Sequence, residues 1–474
     1  MTAPPRVDLC VIGGGPGGLT VAAGAAQMGA AVVLIERDRM GGDCLNSGCV
    51  PSKSLLAAAR AADAVRDSAR FGILADVRGI DGRDVHTHIH DVIAAIAPHD
   101  SEARFSALGV DVVRAPARFI GPDEVDAGGR PVRARRYVVA TGSRPLLPPI
   151  PGLERVPALT NETVFDLQQV PSHLVVIGGG PIGIELGQAF RALGALVTVV
   201  EQATILSRED PDLVAVVRAR LAEQGVVVHE GAVVAGVAPA PGGIRVEVTR
   251  AGAVSRLEVS HLLVAAGRAP VLDGLELAAA GIACTSRGIT VDRRLRTSNR
   301  RVFAVGDVAG GPQFTHVAGY QAGIVLRNAL FRLPAAIDYG AVPRVTYTHP
   351  ELAQVGRTEA EVRGEGGECR VLRAPFGEND RARAERTTEG LVKVVVDRRG
   401  RILGAGIAGA QAGELIQVWV LAMQQRLRVG ALAGMIAPYP TLGEANKRAA
   451  GQFYAEKLFS PRVRRLVRAL ARLG

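Results

Sequence analysis

One nine-residue motif occurs twice in this chain: Val11 to Leu19 reads VIGGGPGGL, and Val176 to Ile184, 165 positions later, reads VIGGGPIGI. Each copy follows an apolar run, Val7 to Ile12 and Leu174 to Ile177, and precedes an Ala/Leu-rich stretch of helical character. Strand, tight glycine turn and helix in that order form the unit that receives a dinucleotide at a helix N-terminus. Gly13, Gly15 and Gly18 fit G-x-G-x-x-G, and so do Gly178, Gly180 and Gly183. The first glycine makes the turn, the second lets backbone approach a pyrophosphate, and the third lets the helix pack on the strand. With 474 residues, 48% of them hydrophobic, the chain has material for more than one domain. The repeat predicts an α/β fold with two Rossmann-like dinucleotide-binding domains.

Glycine-rich turns also serve as plain structural corners, so a second signal matters. Strands predicted at Ala31 to Ile35 and Leu196 to Val200 run into acids, Glu36 and Glu201, each 23 residues after the first glycine of its motif. A carboxylate there accepts ribose hydroxyls of an adenine nucleotide, the alternative being two ordinary surface glutamates. Glu201 would also repel a 2′-phosphate, which favours NADH over NADPH, with Arg208 close enough in sequence to soften the preference. Two nucleotide sites point to FAD that stays bound and NAD(P)H that visits. ATG (Ala140 to Gly142) and AAG (Ala265 to Gly267) each end an apolar strand. A further strand, Val302 to Val305, leads to Gly306-Asp307, where an acid at a strand's carboxyl end can reach a ribityl hydroxyl.

Five cysteines in a long chain whose start has no basic-then-apolar leader exclude a disulfide scaffold. Cys10, Cys284 and Cys369 are scattered, but Cys44 and Cys49 stand close together in GGDCLNSGCVPSK, Gly41 to Lys53. On an ideal helix such a pair would have α-carbons about 8.6 Å apart, beyond the roughly 7 Å that a disulfide spans. A bond between them needs a distorted backbone, which Asn46, Ser47, Gly48 and Pro51 permit. Beside a flavin, the pair reads as a redox-active disulfide; two unpaired buried thiols are the structural alternative. A metal site is disfavoured because no second Cys or His pair has ligand spacing.

These motifs, with ATGSRP, AAGRAP and AVGDV in this order and spacing, resemble the class I pyridine nucleotide-disulfide oxidoreductases, which include lipoamide dehydrogenase, glutathione reductase and mercuric reductase. The resemblance runs to about Phe459. It implies bound FAD, an NAD domain, an α+β C-terminal dimerisation domain and a homodimer. The domains would be FAD-binding over 1–150 and 271–341, NAD(P)-binding over 151–270 and dimerisation over 342–459. By this resemblance Cys49 is the charge-transfer thiol against the flavin and Cys44 the interchange thiol that meets substrate. Lys53 would lie near flavin N5 with Glu185 as its partner, and Asp307 on the ribityl chain. Glu36, Ala117, Gly142 and the segment around His316 would contact the rest of FAD, and Gly267 belongs with the nucleotide-binding set.

The chain departs from that pattern in one place that bears on chemistry. Lipoamide dehydrogenase and glutathione reductase carry His-Pro-Thr-x-x-Glu, whose histidine is the acid-base group. Here the segment is Tyr439-Pro440-Thr441-Leu442-Gly443-Glu444. A phenol, with an ordinary pKa near 10, is a poor base at pH 7. Weak lipoamide and glutathione activity follow, and the pattern resembles mercuric reductase, whose metal-thiolate substrate needs no such shuttle. The C-terminal cysteine pair of mercuric reductases has no counterpart after Cys369. The expected function is therefore a mercuric reductase-like, FAD-dependent NAD(P)H oxidoreductase that delivers electrons through Cys44 and Cys49 to an acceptor the sequence does not assign, a small molecule or a thiol or metal thiolate. The alternatives are a dihydrolipoamide dehydrogenase with an atypical acid-base residue and a low-turnover redox-sensing flavoprotein.

The net charge of +10 comes from 52 Arg and only four Lys against 46 acids. No basic stretch interleaves with aromatics, so nucleic acid is not an expected partner. Apolar runs fall short of a membrane span, and a cytoplasmic location is expected. His86, His88 and His90 alternate inside a stretch of helical character; they are read as a solvated face, and no metal site is assigned. The last fifteen residues hold five Arg and no acid, with Leu466, Val467, Leu470 and Leu473 at near-helical spacing. This basic amphipathic tail would contact a membrane surface or an acidic partner, a frayed or surface-packed end being the alternative.

Overall fold

The structure, a computed structural model, describes residues 6–473. The chain divides into two compact units, one built from residues up to 178, 192–196 and 233–338, the other from 179–191, 197–232 and 339–474.

In the first unit β1 (Val7–Ile12) lies between β2 (Val32–Glu36) and β6 (Arg130–Val139), all parallel. Strand β3 (Val110–Arg114) extends the sheet beyond β2, and Val302–Ala304 joins it through β6. Parallel strands need both faces covered, and the sequence supplies that: all five residues of β2 are buried. Successive side chains point to opposite faces, so Leu9 and Val11 enter one core with Leu34 and Phe303, while Cys10 and Ile12 enter another with Ile35 and Tyr137. Helix α1 (Pro16–Gln27) starts with proline at its first position and buries Leu19, Val21, Ala22 and Ala25. The antiparallel hairpin of β4 (Ala117–Gly121) and β5 (Glu124–Ala127) continues onto the first half of β6. Later in the same unit His173–Ile177 pairs in parallel with His261–Val264.

In the second unit Leu196–Glu201 pairs in parallel with Val227–Glu230. A five-stranded antiparallel sheet runs in the order Pro343–Thr346, Glu351–Gly356, Ile402–Gly409, Leu391–Val396, Arg370–Pro375. Its core is built around Trp419 and Phe376, both with no exposed surface. Lys393, on the fourth of these strands, is buried and held by Asp210, Asp212 and Glu359, with Nζ–O distances of 2.8, 2.8 and 3.0 Å. Charge pairing of this kind is what allows a lysine into a core.

The α/β class and the α+β C-terminal region agree with the sequence expectation. The histidine run lies on helix α4 (Gly82–Asp100) and the basic tail on Pro461–Leu470, none of whose residues is buried. Among the described residues no helix is long and apolar enough to cross a membrane.

Candidate active site

The two glycine motifs fold alike at their first glycine. Gly13 and Gly178 both take φ of +110°, and a Cβ on either would overlap the carbonyl oxygen of Ala140 or Ala265. Those alanines open the ATG and AAG segments, so each turn is pressed against its strand-end tripeptide; Gly142 and Gly267 also have positive φ, +67° and +126°. A Cβ on Gly18 would overlap the Gly13 carbonyl, whereas one on Gly15 would meet only the Gly42 α-carbon, at 3.9 Å. Around Gly180 the same test finds nothing within 4 Å, and Gly183 is buried.

The two acids also behave alike. Glu36 accepts hydrogen bonds from the Gly14 and Asp38 amides at 2.5 and 2.7 Å. Glu201 accepts from the Gly179 and Ala203 amides at 2.7 and 2.8 Å. Each carboxylate is thus fixed at the lip of its glycine turn. Gly15 caps α1 with no side chain bonded to the helix end. A helix N-terminus without a side-chain cap, a glycine open toward it and a fixed acid beside it match what a dinucleotide requires: amides for phosphate and a carboxylate for ribose. Ala117 begins β4 just beyond Arg114, the register partner of Glu36.

The cysteine segment breaks where its sequence allows. Cys44 lies on α2 (Gly42–Asn46), and Cys49 is the first residue of α3 (Cys49–Arg66). Between them Ser47 and Gly48 leave helical conformation, with φ of −148° and −123°. The break is pinned by Asp43, which accepts hydrogen bonds from Ser47 Oγ and Asn161 Nδ2, both at 3.0 Å, while Asn161 also donates to the Ser47 carbonyl. At Gly48 a Cβ would come within 2.9 Å of the Asp43 carbonyl oxygen.

Cys44 and Cys49 are both free, and a hydrogen bond links their side chains. Cys49 Sγ also lies 3.4 Å from the Thr315 hydroxyl. The hydrogen bond from Cys44 is the main cause that brings the Cys49 thiol down to about 6, helped by Thr315 and the nearby Lys53 ammonium against the cost of burial. The same bond, with burial, drives Cys44 far up. The shared hydrogen bond therefore favours the thiolate on Cys49 and the proton on Cys44. Lys53 itself donates to the Ser52 hydroxyl at 3.4 Å.

Arg268, from the AAGRAP segment, binds this region together. It contacts Asp43 Oδ2 at 3.1 Å, donates to Ser143 Oγ at 2.8 Å and reaches Asn161 Oδ1 at 3.2 Å. Ser143 donates in turn to Asp307 Oδ2 at 2.5 Å. Burial pushes the Asp307 carboxyl above its ordinary value, which the Ser143 hydrogen bond and the Arg268 charge oppose. His316 stacks on Phe314 with ring centroids 5.1 Å apart, one residue beyond Thr315 at the start of helix Thr315–Ala329.

In the second unit Glu185 accepts from the Tyr347 amide at 2.8 Å. Tyr439 is exposed, and its hydroxyl donates to Asp380 Oδ2 at 3.1 Å, which holds the phenol above its ordinary pKa. Glu444 accepts from the Thr441 amide at 3.3 Å at the start of helix Glu444–Leu458. Sequence reasoning missed Thr315, Asn161, Ser143, Arg268 and Asp380. Three of these had a signal, since Ser143 and Arg268 lie within the strand-end motifs and Thr315 within the segment around His316; Asn161 and Asp380 had none.

Residues 7–322 match the family model for pyridine nucleotide-disulphide oxidoreductases, and residues 342–450 match that family's dimerisation domain. The chain belongs to the pyridine nucleotide-disulphide oxidoreductases. Within this family it is 38% identical to a mercuric reductase of Streptomyces lividans over 458 residues, 95% of this chain and 96% of the relative. It is 36% identical to a dihydrolipoyl dehydrogenase of Geobacillus stearothermophilus over 453 residues, 94% and 96% of the two chains. Among solved structures, the Cu(II) complex of RclA, an HOCl-induced flavoprotein disulfide reductase of Escherichia coli, superposes with a TM-score of 0.83 at 29% identity, covering 93% of this chain and 98% of that one. The pyridine nucleotide-disulphide oxidoreductases use FAD and NAD(P)H.

Proposed function

We propose that this chain, as a homodimer, oxidises NADH in preference to NADPH and delivers the electron pair through the Cys44–Cys49 disulfide to a thiol-ligated soft metal ion, of which mercuric ion is the model. The observation that carries this reading is Tyr439: where thiol-disulfide exchange needs a base, a phenol held above its ordinary pKa by Asp380 cannot take a proton at neutral pH. A metal thiolate needs no separate base, because the thiolate ligand that leaves the metal can take the proton that Cys44 gives up as it binds. The similarity to a mercuric reductase and to a flavoprotein whose structure holds Cu(II) points the same way.

Bound FAD would supply the carrier between hydride donor and disulfide; the rest is done by side chains of this chain. Gly13, Gly15, Gly18 and Glu36 would hold the dinucleotide, with Asp307 toward its ribityl chain. Glu201 would hold the NADH ribose and disfavour a 2′-phosphate. A hydride equivalent added to the disulfide gives one thiol and one thiolate with no further proton, and the hydrogen bond between the two side chains favours the proton on Cys44 and the charge on Cys49. Cys49, stabilised by Cys44, Thr315 and Lys53, stays anionic, and Cys44 is the residue that meets the acceptor. Overall, one NADH and one divalent ion give NAD+, a proton and the reduced metal.

A second reading, a dihydrolipoamide dehydrogenase with an atypical acid-base group, is favoured by the near-equal identity to the G. stearothermophilus enzyme. One panel separates them: NADH oxidation by the purified flavoenzyme with mercuric ion in excess thiol, lipoamide, glutathione disulfide or quinones. Mercuric ion should be the best of the four. Faster turnover with lipoamide overturns the proposal, and failure with every acceptor while the flavin remains reducible favours a redox-sensing role. Anaerobic titration with NADH should raise a long-wavelength thiolate–flavin band that Cys49→Ser abolishes.

A further inference from the structure

The histidine run, read from sequence as a solvated face, has a geometry that this reading does not explain. Helix α4 carries Gly82, His86 and His90 four residues apart, hence along one face. That face meets the segment that follows the short turn Val164–Asp166. A Cβ on Gly82 would come within 2.7 Å of the Gln168 carbonyl oxygen and the Gln169 α-carbon. One and two turns further along, the two imidazoles face Asp166. Their ring centroids are 4.1 Å apart, and one donor atom from each of His86, His90 and Asp166 can be chosen so that all three lie within 4.8 Å of one another. His88, between them, points elsewhere, with Nε2 3.2 Å from the Ser54 carbonyl oxygen.

Three features distinguish this cluster from a chance grouping. The His90 Nε2 is buried yet makes no hydrogen bond, and its nearest oxygen is Asp166 Oδ1 at 3.7 Å, too far for one. The two imidazoles, tilted 41° to each other, bring ring nitrogens close enough to share a cation. Asp166 is exposed, yet its backbone is anchored by the buried neighbours Val164 and Phe165, so its carboxylate can swing without moving the turn.

We propose that His86, His90 and Asp166 bind one divalent transition-metal ion of the zinc class, tying α4 to the 164–170 segment. Two imidazole nitrogens and one carboxylate oxygen are the donor set that Zn²⁺ takes, and helical histidines at i and i+4 can supply adjacent ligands. Tetrahedral ligation at about 2.0–2.1 Å would bring the donors to roughly 3.4 Å from one another, which rotation of Asp166 and small turns of the imidazoles achieve. Water would complete the shell. The proposal uses none of the residues assigned to electron transfer and stands or falls apart from them.

The test is zinc binding by the full-length flavoenzyme without a polyhistidine tag, in a Cys44→Ser, Cys49→Ser background so that active-site thiols cannot contribute. Competition with a chromophoric chelator should give one Zn²⁺ per chain. His86→Gln and His90→Gln should each weaken binding by at least about 100-fold, the upper end of what loss of an outer partner alone costs, and Asp166→Asn should weaken it measurably. His88→Gln should bind like the parent. Co²⁺ in place of Zn²⁺ should show visible d–d bands that vanish in His90→Gln. Bound flavin and circular dichroism verify that each variant is folded. Less than half an equivalent of zinc in the parent, unchanged affinity in a folded His90→Gln, or equal loss in His88→Gln would overturn the site.

Discussion

The division of one proton between Cys44 and Cys49 can be probed directly by alkylation. With the Cys49 thiol at about 6, as against 9.0 for an unperturbed one, roughly 90% of it is thiolate at pH 7 instead of about 1%. Its reaction with iodoacetamide, followed at the peptide level by mass spectrometry on the reduced flavoenzyme, should therefore be nearly flat above pH 7. Below pH 6 it should fall about tenfold per pH unit, because only the thiolate reacts. The hydrogen bond from Cys44 is the largest cause of the lowering, so Cys44→Ala should shift the midpoint upward and slow alkylation at pH 7. Thr315 and Lys53 continue to act, so the slowing should stay below the roughly 90-fold that a full return to 9.0 would bring. Thr315→Val should give a smaller shift in the same direction. A wild-type midpoint above pH 8, or a Cys44→Ala profile identical to wild type, would refute the argument.

Four further outcomes follow from the geometry. Lys393→Met leaves Asp210, Asp212 and Glu359 without their buried cation and should destabilise the second unit by about 3–5 kcal/mol in equilibrium urea denaturation; a loss under about 1 kcal/mol would show the carboxylates relax. Because Lys393 holds the Asp212 carboxyl below its ordinary value, and against burial does the same for Glu359, their stabilisation is full above the ordinary carboxylate range and is lost as pH falls through the lowered values, an acid-side loss that unfolding followed below that range should reveal. Tyr439→His should raise lipoamide turnover, and no increase would mean that the missing histidine is not the limitation. Glu201→Ala should raise the KM for NADH roughly tenfold or more and narrow the NADH/NADPH ratio without loss of flavin, whereas an unchanged ratio would remove Glu201 from the nucleotide site.

The parts of this protein legible in its sequence are those whose chemistry is local. Gly13 and Gly178 announce their turns because only glycine tolerates that backbone against a neighbouring carbonyl. The apolar run of β1, buried on both faces, and the acids that close β2 and its counterpart follow from composition and spacing alone. Cys44 and Cys49 with Gly48 between them carry their own break in helix geometry. What tertiary structure alone decided are pairings between distant segments: Thr315 beside Cys49, 266 positions apart; Arg268 on Asp43; Asp380 under Tyr439; Lys393 among acids from two other segments; and Asp166 against the histidines of α4. No spacing rule reaches across such distances, because which charges meet is set by how sheets and helices pack. The sequence determines which reactive groups the chain carries, and the packing sets the proton affinity of each.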